Sequence, residues 1–131
     1  MQSKPADARF QTLRRISGAA LAAVLVACGW CYGILFIEGG SMEPAVSAGD
    51  FVVYRRVAIG PDQGDLVVFE HGGTLVVHRV AGLLRDGSIR TRGDANRFAD
   101  MLPVEEAAVR GEVVLVLPSG ALASRLAALR H

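Results

Sequence analysis

After Ile37 this chain of 131 residues contains no lysine and no cysteine. Its lone lysine is Lys4, and its two cysteines, Cys28 and Cys31, lie upstream. Residues 38–131 therefore hold no disulfide, no thiol nucleophile and no lysine that could act as a base. They hold no basic cluster either. Ten arginines there stand against twelve Asp and Glu, a slightly acidic balance that gives a nucleic-acid backbone no footing. A further absence is local: from Ile16 to Ile37, 22 consecutive residues include no Asp, Glu, Lys or Arg. No internal repeat or low-complexity segment occurs.

As a helix, the uncharged run spans roughly 33 Å at about 1.5 Å per residue, the thickness of a hydrocarbon core. Before it, Lys4, Arg9, Arg14 and Arg15 stand against Asp7 alone. A positive flank stays cytoplasmic. The expected organisation is a cytoplasmic tail over 1–15, a transmembrane anchor over 16–37, and a domain over 38–131 on the trans side of the membrane. A cleaved leader has a shorter apolar core, ~7–15 residues, followed by a small-x-small site. Phe36-Ile37-Glu38-Gly39-Gly40 offers no such site, so the anchor is read as retained. Cys28 and Cys31 have C-x-x-C spacing, but no second ligand pair accompanies them and thiolates are costly in lipid. They read as two small apolar residues of the anchor. Preference for arginine over lysine, with abundant alanine and glycine, points to a GC-rich genome and a bacterial or archaeal cell membrane.

Past Gly39-Gly40, short β-type runs alternate with turn signals. The runs are Phe51 to Tyr54, Leu66 to Phe69, Thr74 to Val80, Ser88 to Thr91 and Val113 to Leu117. His71-Gly72-Gly73 reads as a hairpin loop, and Asp86-Gly87 as a two-residue turn. This pattern predicts a mainly β fold, a compact bent sheet or partly open barrel behind one N-terminal transmembrane helix. From Ala121 to Arg130, Leu122, Leu126 and Leu129 recur at helical spacing and predict a short amphipathic cap on the sheet.

Without lysine, base-assisted serine chemistry in the domain needs a histidine or a carboxylate. Ser41 stands in Gly39-Gly40-Ser41-Met42-Glu43-Pro44. Gly40 permits unusual backbone angles and close approach to a substrate, while Pro44 restricts Glu43. A serine held this way can present its Oγ and its own backbone N–H to one carbonyl, as attack and oxyanion stabilisation require. The same residues also suit a plain turn. Of three histidines, His71 lies in a turn and His131 at the terminus. His78 shares a strand face with Val76 and Val80 and is the candidate base. An imidazole, with an ordinary pKa of about 6.5, suits proton transfer near neutral pH. Asp94 and Asp100 are the candidates for orienting it. Asp94, next to Gly93, suits a turn, and Asp100 is freer to reach His78. Spacing leaves that choice open.

These residues fall into four boxes. Ser41-Met42-Glu43-Pro44 with Gly49-Asp50, Gly64-Asp65-Leu66-Val67-Val68-Phe69, His78-Arg79-Val80, and Gly93-Asp94-Ala95-Asn96 with Asp100 resemble, in order, the boxes of type I signal peptidases. A histidine at position 78 is similar to the serine–histidine branch of archaea, the endoplasmic reticulum and some Gram-positive bacteria. The resemblance implies a Ser41 nucleophile, a His78 base, Asp100 as third member and Asp94 as a supporting carboxylate. It also implies cleavage of signal peptides after small residues, with no cofactor and no metal. Many relatives carry a serine two positions before the nucleophile whose hydroxyl helps bind the oxyanion. Gly39 stands there in this chain, which leaves the Ser41 backbone N–H and a donor of another kind.

The partners expected on this basis are preprotein signal peptides, the lipid bilayer and the secretion translocon. Two further readings share the motifs: a catalytically idle, membrane-tethered β-domain serving in binding or assembly, and a peptidase dedicated to one or a few precursors.

Overall fold

The structure, a computed structural model, describes residues 6–56 and 60–119. The chain divides into two units between Cys31 and Tyr32.

The first unit is one helix, α1, Ala6–Cys31. It starts within the segment expected to be a polar tail. Alanine, arginine, glutamine and leucine there are all strong helix formers, and a helix in polar surroundings needs no apolar stripe to reveal it. Within α1, Gln11–Cys31 is long and apolar enough to cross a membrane, and none of that stretch is buried. Its 21 residues span about 31 Å.

The apolar run does not stay helical to Ile37. Tyr32–Phe36 is a strand, β1, paired antiparallel with β2, Phe51–Arg55, in a register that sets Gly33 opposite Tyr54. Gly33 explains the change. A Cβ there would lie 2.3 Å from Tyr54 Cζ, so the β1 backbone passes directly over the tyrosine ring where no side chain fits. Tyr32, Ile34 and Phe36 are aromatic or β-branched and suit the pleated surface.

The second unit is a single antiparallel sheet. After β1 and β2 come β3, Leu66–His71; β4, Thr74–Leu83; β5, Ile89–Arg92; a short 3-10 helix, Glu106–Ala108; and β6, Val109–Leu117. The strand order is β1-β2-β6-β3-β4-β5. The last strand thus inserts between β2 and β3 and joins two halves that are separate in sequence. Register shifts interrupt β2–β6 at Val53/Tyr54, β3–β6 at Val68/Phe69 and β4–β5 at Val80/Gly82. Such bulges bend and twist a sheet. The fold is mainly β, as expected, with one more strand than the sequence showed and a longer β6.

Two hairpins tie β3, β4 and β5. Gly72 and Gly73 both take positive φ between the paired His71 and Thr74, a two-residue turn. The Asp86-Gly87 signal differs from expectation. The Gly87 N–H donates to Leu84 O, the Leu84 N–H donates to Ser88 O, and Gly87 has φ of 85°. The loop is therefore three residues long, a turn followed by one left-handed glycine. Asp86 Oδ1 accepts from both the N–H and the hydroxyl of Ser88, which fixes the longer form.

The core lies on both faces of the sheet. One face packs Ile37, Met42, Val46, Val52, Tyr54, Val68 and Val77. The other packs Val67, Phe69, Val80, Ile89 and Val104. Val67 and Val68 point to opposite faces and are both fully buried. Each valine contributes about 1.5–3 kcal/mol relative to exposure, which is why β3 reads as a continuous apolar run. The amphipathic pattern over 121–130 lies outside the described residues.

Candidate active site

Three segments meet at the site. The first is the loop between β1 and β2, closed at its base by Ile37 N–H to Asp50 O (2.9 Å) and Gly49 N–H to Ile37 O (2.6 Å). Met42 and Val46, almost wholly buried, anchor it in the core from beneath. The Glu43 N–H donates to Gly40 O and the Val46 N–H to Met42 O, and the Glu43–Pro44 bond is cis. Gly49 has φ of 93°. Asp50 is buried, and its carboxylate accepts from the Ser47 and Ser119 N–H groups (2.9 and 3.0 Å), tying the loop to the end of β6. Apolar anchors and hydrogen bonds together fix the backbone on which Ser41 stands. Gly40 is less demanding than expected. Its φ is not left-handed, and a Cβ there would meet only the flexible Glu43 side chain at 3.5 Å.

The second segment is β4, which carries His78 opposite Val67 of β3. Its imidazole is buried edge-on to Phe69, ring centroids 6.0 Å apart. The third is the loop leaving β5. The Asn96 N–H closes a turn on Gly93 O, and the Ala95 N–H donates to Ser41 O at 2.9 Å, so this loop is bonded to the serine's own backbone. Gly93 makes the approach possible. A Cβ at 93 would lie 2.5 Å from Ser41 O and 3.1 Å from His78 Nε2.

Ser41 Oγ lies 3.2 Å from His78 Nε2, and His78 Nδ1 lies 2.7 Å from Asp100 Oδ2. A carboxylate only accepts, so Nδ1 carries the proton and Nε2 is left to accept from the Ser41 hydroxyl. That is the tautomer a general base requires. In this state the arrangement can take a proton from Ser41 and hold the resulting imidazolium beside a carboxylate.

Asp94 faces elsewhere. Arg79 grips it with Nε to Oδ1 at 2.8 Å and Nη2 to Oδ2 at 2.6 Å, while Nη1 donates to Gly64 O at 2.8 Å. The hydrogen-bonded guanidinium holds the Asp94 carboxyl below its ordinary range, and Asp94 in turn raises Arg79. This pair bolts the loop after β5 onto β4 at the residue next to His78.

One polar contact was not visible in the sequence. Thr91, fully buried in β5, donates its hydroxyl to Asp100 Oδ2 at 2.6 Å. The available signal was a hydroxyl at an inward position of an alternating strand, where burial requires a partner. Beside Asp100 opens a hollow of about 560 Å³, walled by Phe69, Val76, Leu102 and Pro103 with His78 and Thr91.

The chain is 29% identical over 87 residues to Signal peptidase I W of Bacillus subtilis (strain 168), a match covering 62% of this chain and 46% of that protein. The chain thus spans about half the length of the curated relative it matches. Residues 11–114, which include every side chain of the Ser41–His78–Asp100 series, match the Peptidase S24-like family, and the chain belongs to that family.

Proposed function

We propose that this chain is a membrane-bound serine endopeptidase that removes signal peptides from exported preproteins. The observation that carries the reading is the unbroken hydrogen-bonded series from Ser41 Oγ through His78 to Asp100. Similarity to a signal peptidase supports the substrate class. α1 serves as a single-pass anchor, with the N-terminus cytoplasmic and the sheet on the trans side, on the strength of Arg9, Arg14 and Arg15 before the uncharged run.

In the reaction, Ser41 Oγ attacks the scissile carbonyl carbon as His78 Nε2 takes the hydroxyl proton. The carbonyl oxygen becomes an oxyanion, which accepts a hydrogen bond from the Ser41 backbone N–H. The tetrahedral adduct collapses, the C–N bond breaks, and His78 delivers its proton to the departing amine, which is the new N-terminus of the mature protein. Water then attacks the Ser41 ester with His78 again as base, releasing the signal peptide's carboxylate and restoring the serine. Asp100 holds the imidazole in orientation and stabilises its charged form. Substrates are preproteins whose apolar stretch lies in the bilayer; the translocon is the partner that delivers them.

The test is cleavage of a purified preprotein by the full chain in detergent or lipid. Ser41→Ala and His78→Ala are expected to abolish cleavage while leaving the sheet folded. Undiminished cleavage by either variant overturns the reading. Normal export in cells carrying Ser41→Ala would favour the idle binding module, and accumulation of a single uncleaved precursor would favour the dedicated peptidase.

A further inference from the structure

We propose that Thr91 is a positioning residue for the reaction: its hydroxyl fixes the Asp100 carboxylate so that Oδ2 stays aimed at His78 Nδ1. The inference rests on the serine–histidine reading above and adds a residue that touches neither substrate nor Ser41.

The two residues are joined at two points. The Asp100 N–H donates to Thr91 O at 2.8 Å, and the Thr91 hydroxyl donates to Asp100 Oδ2 at 2.6 Å. Oδ2 is the same oxygen that accepts the hydrogen bond from His78 Nδ1–H. Asp100 thus receives two side-chain donors on one oxygen, from adjacent strands, and its backbone is registered to one of them.

Packing alone does not hold this carboxylate. The Asp100 side chain is 27% exposed, against 11% for His78, and it borders the hollow that Met101, Leu102 and Pro103 help to form. On that side the carboxylate borders open space, so hydrogen bonds are what resist rotation about its terminal torsion there. Thr91, in contrast, is wholly enclosed. It is held by the core and can transmit that rigidity to its exposed neighbour through one short bond.

The choice of residue supports the same conclusion. Thr91 lies between the exposed Arg90 and Arg92, on the inward face with Ile89. Valine fills the same shape in a buried strand without a polar atom to satisfy, and the neighbouring core is built largely of valine. A hydroxyl here has one observed partner, the oxygen that orients the imidazole.

The experiment compares Thr91→Val, which keeps the shape and removes the donor, with Thr91→Ser, which keeps the donor and removes a methyl group. A packing role and a positioning role rank the two in opposite order. We expect Thr91→Val to melt at or above the wild-type temperature yet lose roughly tenfold in kcat with KM unchanged, because misaligned catalytic groups lower turnover, not binding. Thr91→Ser melts lower but keeps kcat within about twofold. In an Asp100→Ala background, Thr91→Val should have no further effect on kcat, since it acts through Asp100. A second readout does not depend on turnover. In NMR spectra of the full chain in micelles, the His78 Nδ1–H resonance should be sharp and downfield in wild type and Thr91→Ser, and shifted or exchange-broadened in Thr91→Val. Wild-type kcat and an unchanged His78 resonance in Thr91→Val overturn the proposal. If the wild-type chain cleaves no preprotein, the proposed function fails instead, and the resonance still decides whether Thr91 positions Asp100.

Discussion

Asp94 and Asp100 leave the same loop after β5 and are bound by different partners: Arg79 grips both oxygens of Asp94, while His78 and Thr91 share Oδ2 of Asp100. In the proposed reaction this division separates a structural carboxylate from an orienting one within seven residues of chain. Asp100→Asn replaces an obligate acceptor with a group that can also donate, and favours the wrong imidazole tautomer. We expect turnover to fall by about 10³–10⁴-fold with little change in melting temperature. Asp94→Asn leaves Arg79 without its ion partner. The pair is half-buried, with side-chain exposures of 37% for Arg79 and 17% for Asp94. The expected loss lies between that of a surface and a buried pair, about 1–2 kcal/mol of stability, with a smaller loss of turnover. Preprotein cleavage and thermal melts on the two variants check the division, and equal loss of turnover in both would contradict it.

The same ion pair predicts a pH dependence of stability. Its Arg79 hydrogen bonds depress the Asp94 pKa below the ordinary aspartate value of 3.8. A carboxyl depressed in the folded state binds its proton more readily when unfolded, so its stabilisation is fully present above the unfolded value. It fades as pH falls from there through the folded value. Melting temperatures of wild type and Asp94→Asn should therefore differ at neutral pH and converge below about pH 4. A constant gap across that window would show that the hydrogen-bonded charge is not what Asp94 contributes.

Much of this fold could be read directly from the sequence, and the exceptions share a cause. The β3–β4 hairpin is local: His71, Gly72, Gly73 and Thr74 carry their own turn chemistry. Tyr32–Phe36 is not, because an apolar run looks alike as lipid-embedded helix or as strand, and what separates them is the Tyr54 ring packed over Gly33. Within the site, the lack of lysine after Ile37 leaves a histidine or a carboxylate as base, and the turn at His71 and the terminal place of His131 single out His78. Spacing alone could not tell the two aspartates apart, since their partners, Arg79 and His78, are adjacent on β4 and point to opposite faces. Thr91 reads from sequence as an ordinary β-branched strand residue, and the oxygen its hydroxyl meets lies nine residues on, in a loop.

Gly93 lies where two loops of the site approach closely. A methyl group there would lie 2.5 Å from the Ser41 carbonyl oxygen, 2.8 Å from Asn96 Nδ2 and 3.1 Å from His78 Nε2. The nearest of these is a backbone atom fixed by the Ala95 hydrogen bond, so the two loops must separate. Gly93→Ala is expected to lower turnover by about 100-fold, since a displacement near 1 Å at reacting groups has that effect. Overpacking should cost about 1–3 kcal/mol of stability. Kinetics together with a melt test this, and wild-type turnover in Gly93→Ala would mean that the loops approach less closely than described.

Gly39 offers the converse case, a position with room to add chemistry. A Cβ at 39 meets nothing within 4 Å, and its φ lies outside the left-handed range, so Gly39→Ser introduces no clash and no backbone strain. The residue stands two positions before Ser41, on the loop whose base is pinned at Ile37 by Asp50 and Gly49. In the proposed reaction a hydroxyl there would add a second oxyanion donor beside the Ser41 N–H. Single donors of this kind contribute about 10²–10³-fold in settings evolved around them, and a newly placed, rotatable one contributes less. Gly39→Ser should therefore raise kcat by roughly tenfold at constant KM, because the new bond forms only when the carbonyl oxygen becomes charged. If Gly39→Ser leaves kcat unchanged while Gly39→Ala does the same, position 39 does not face the oxyanion.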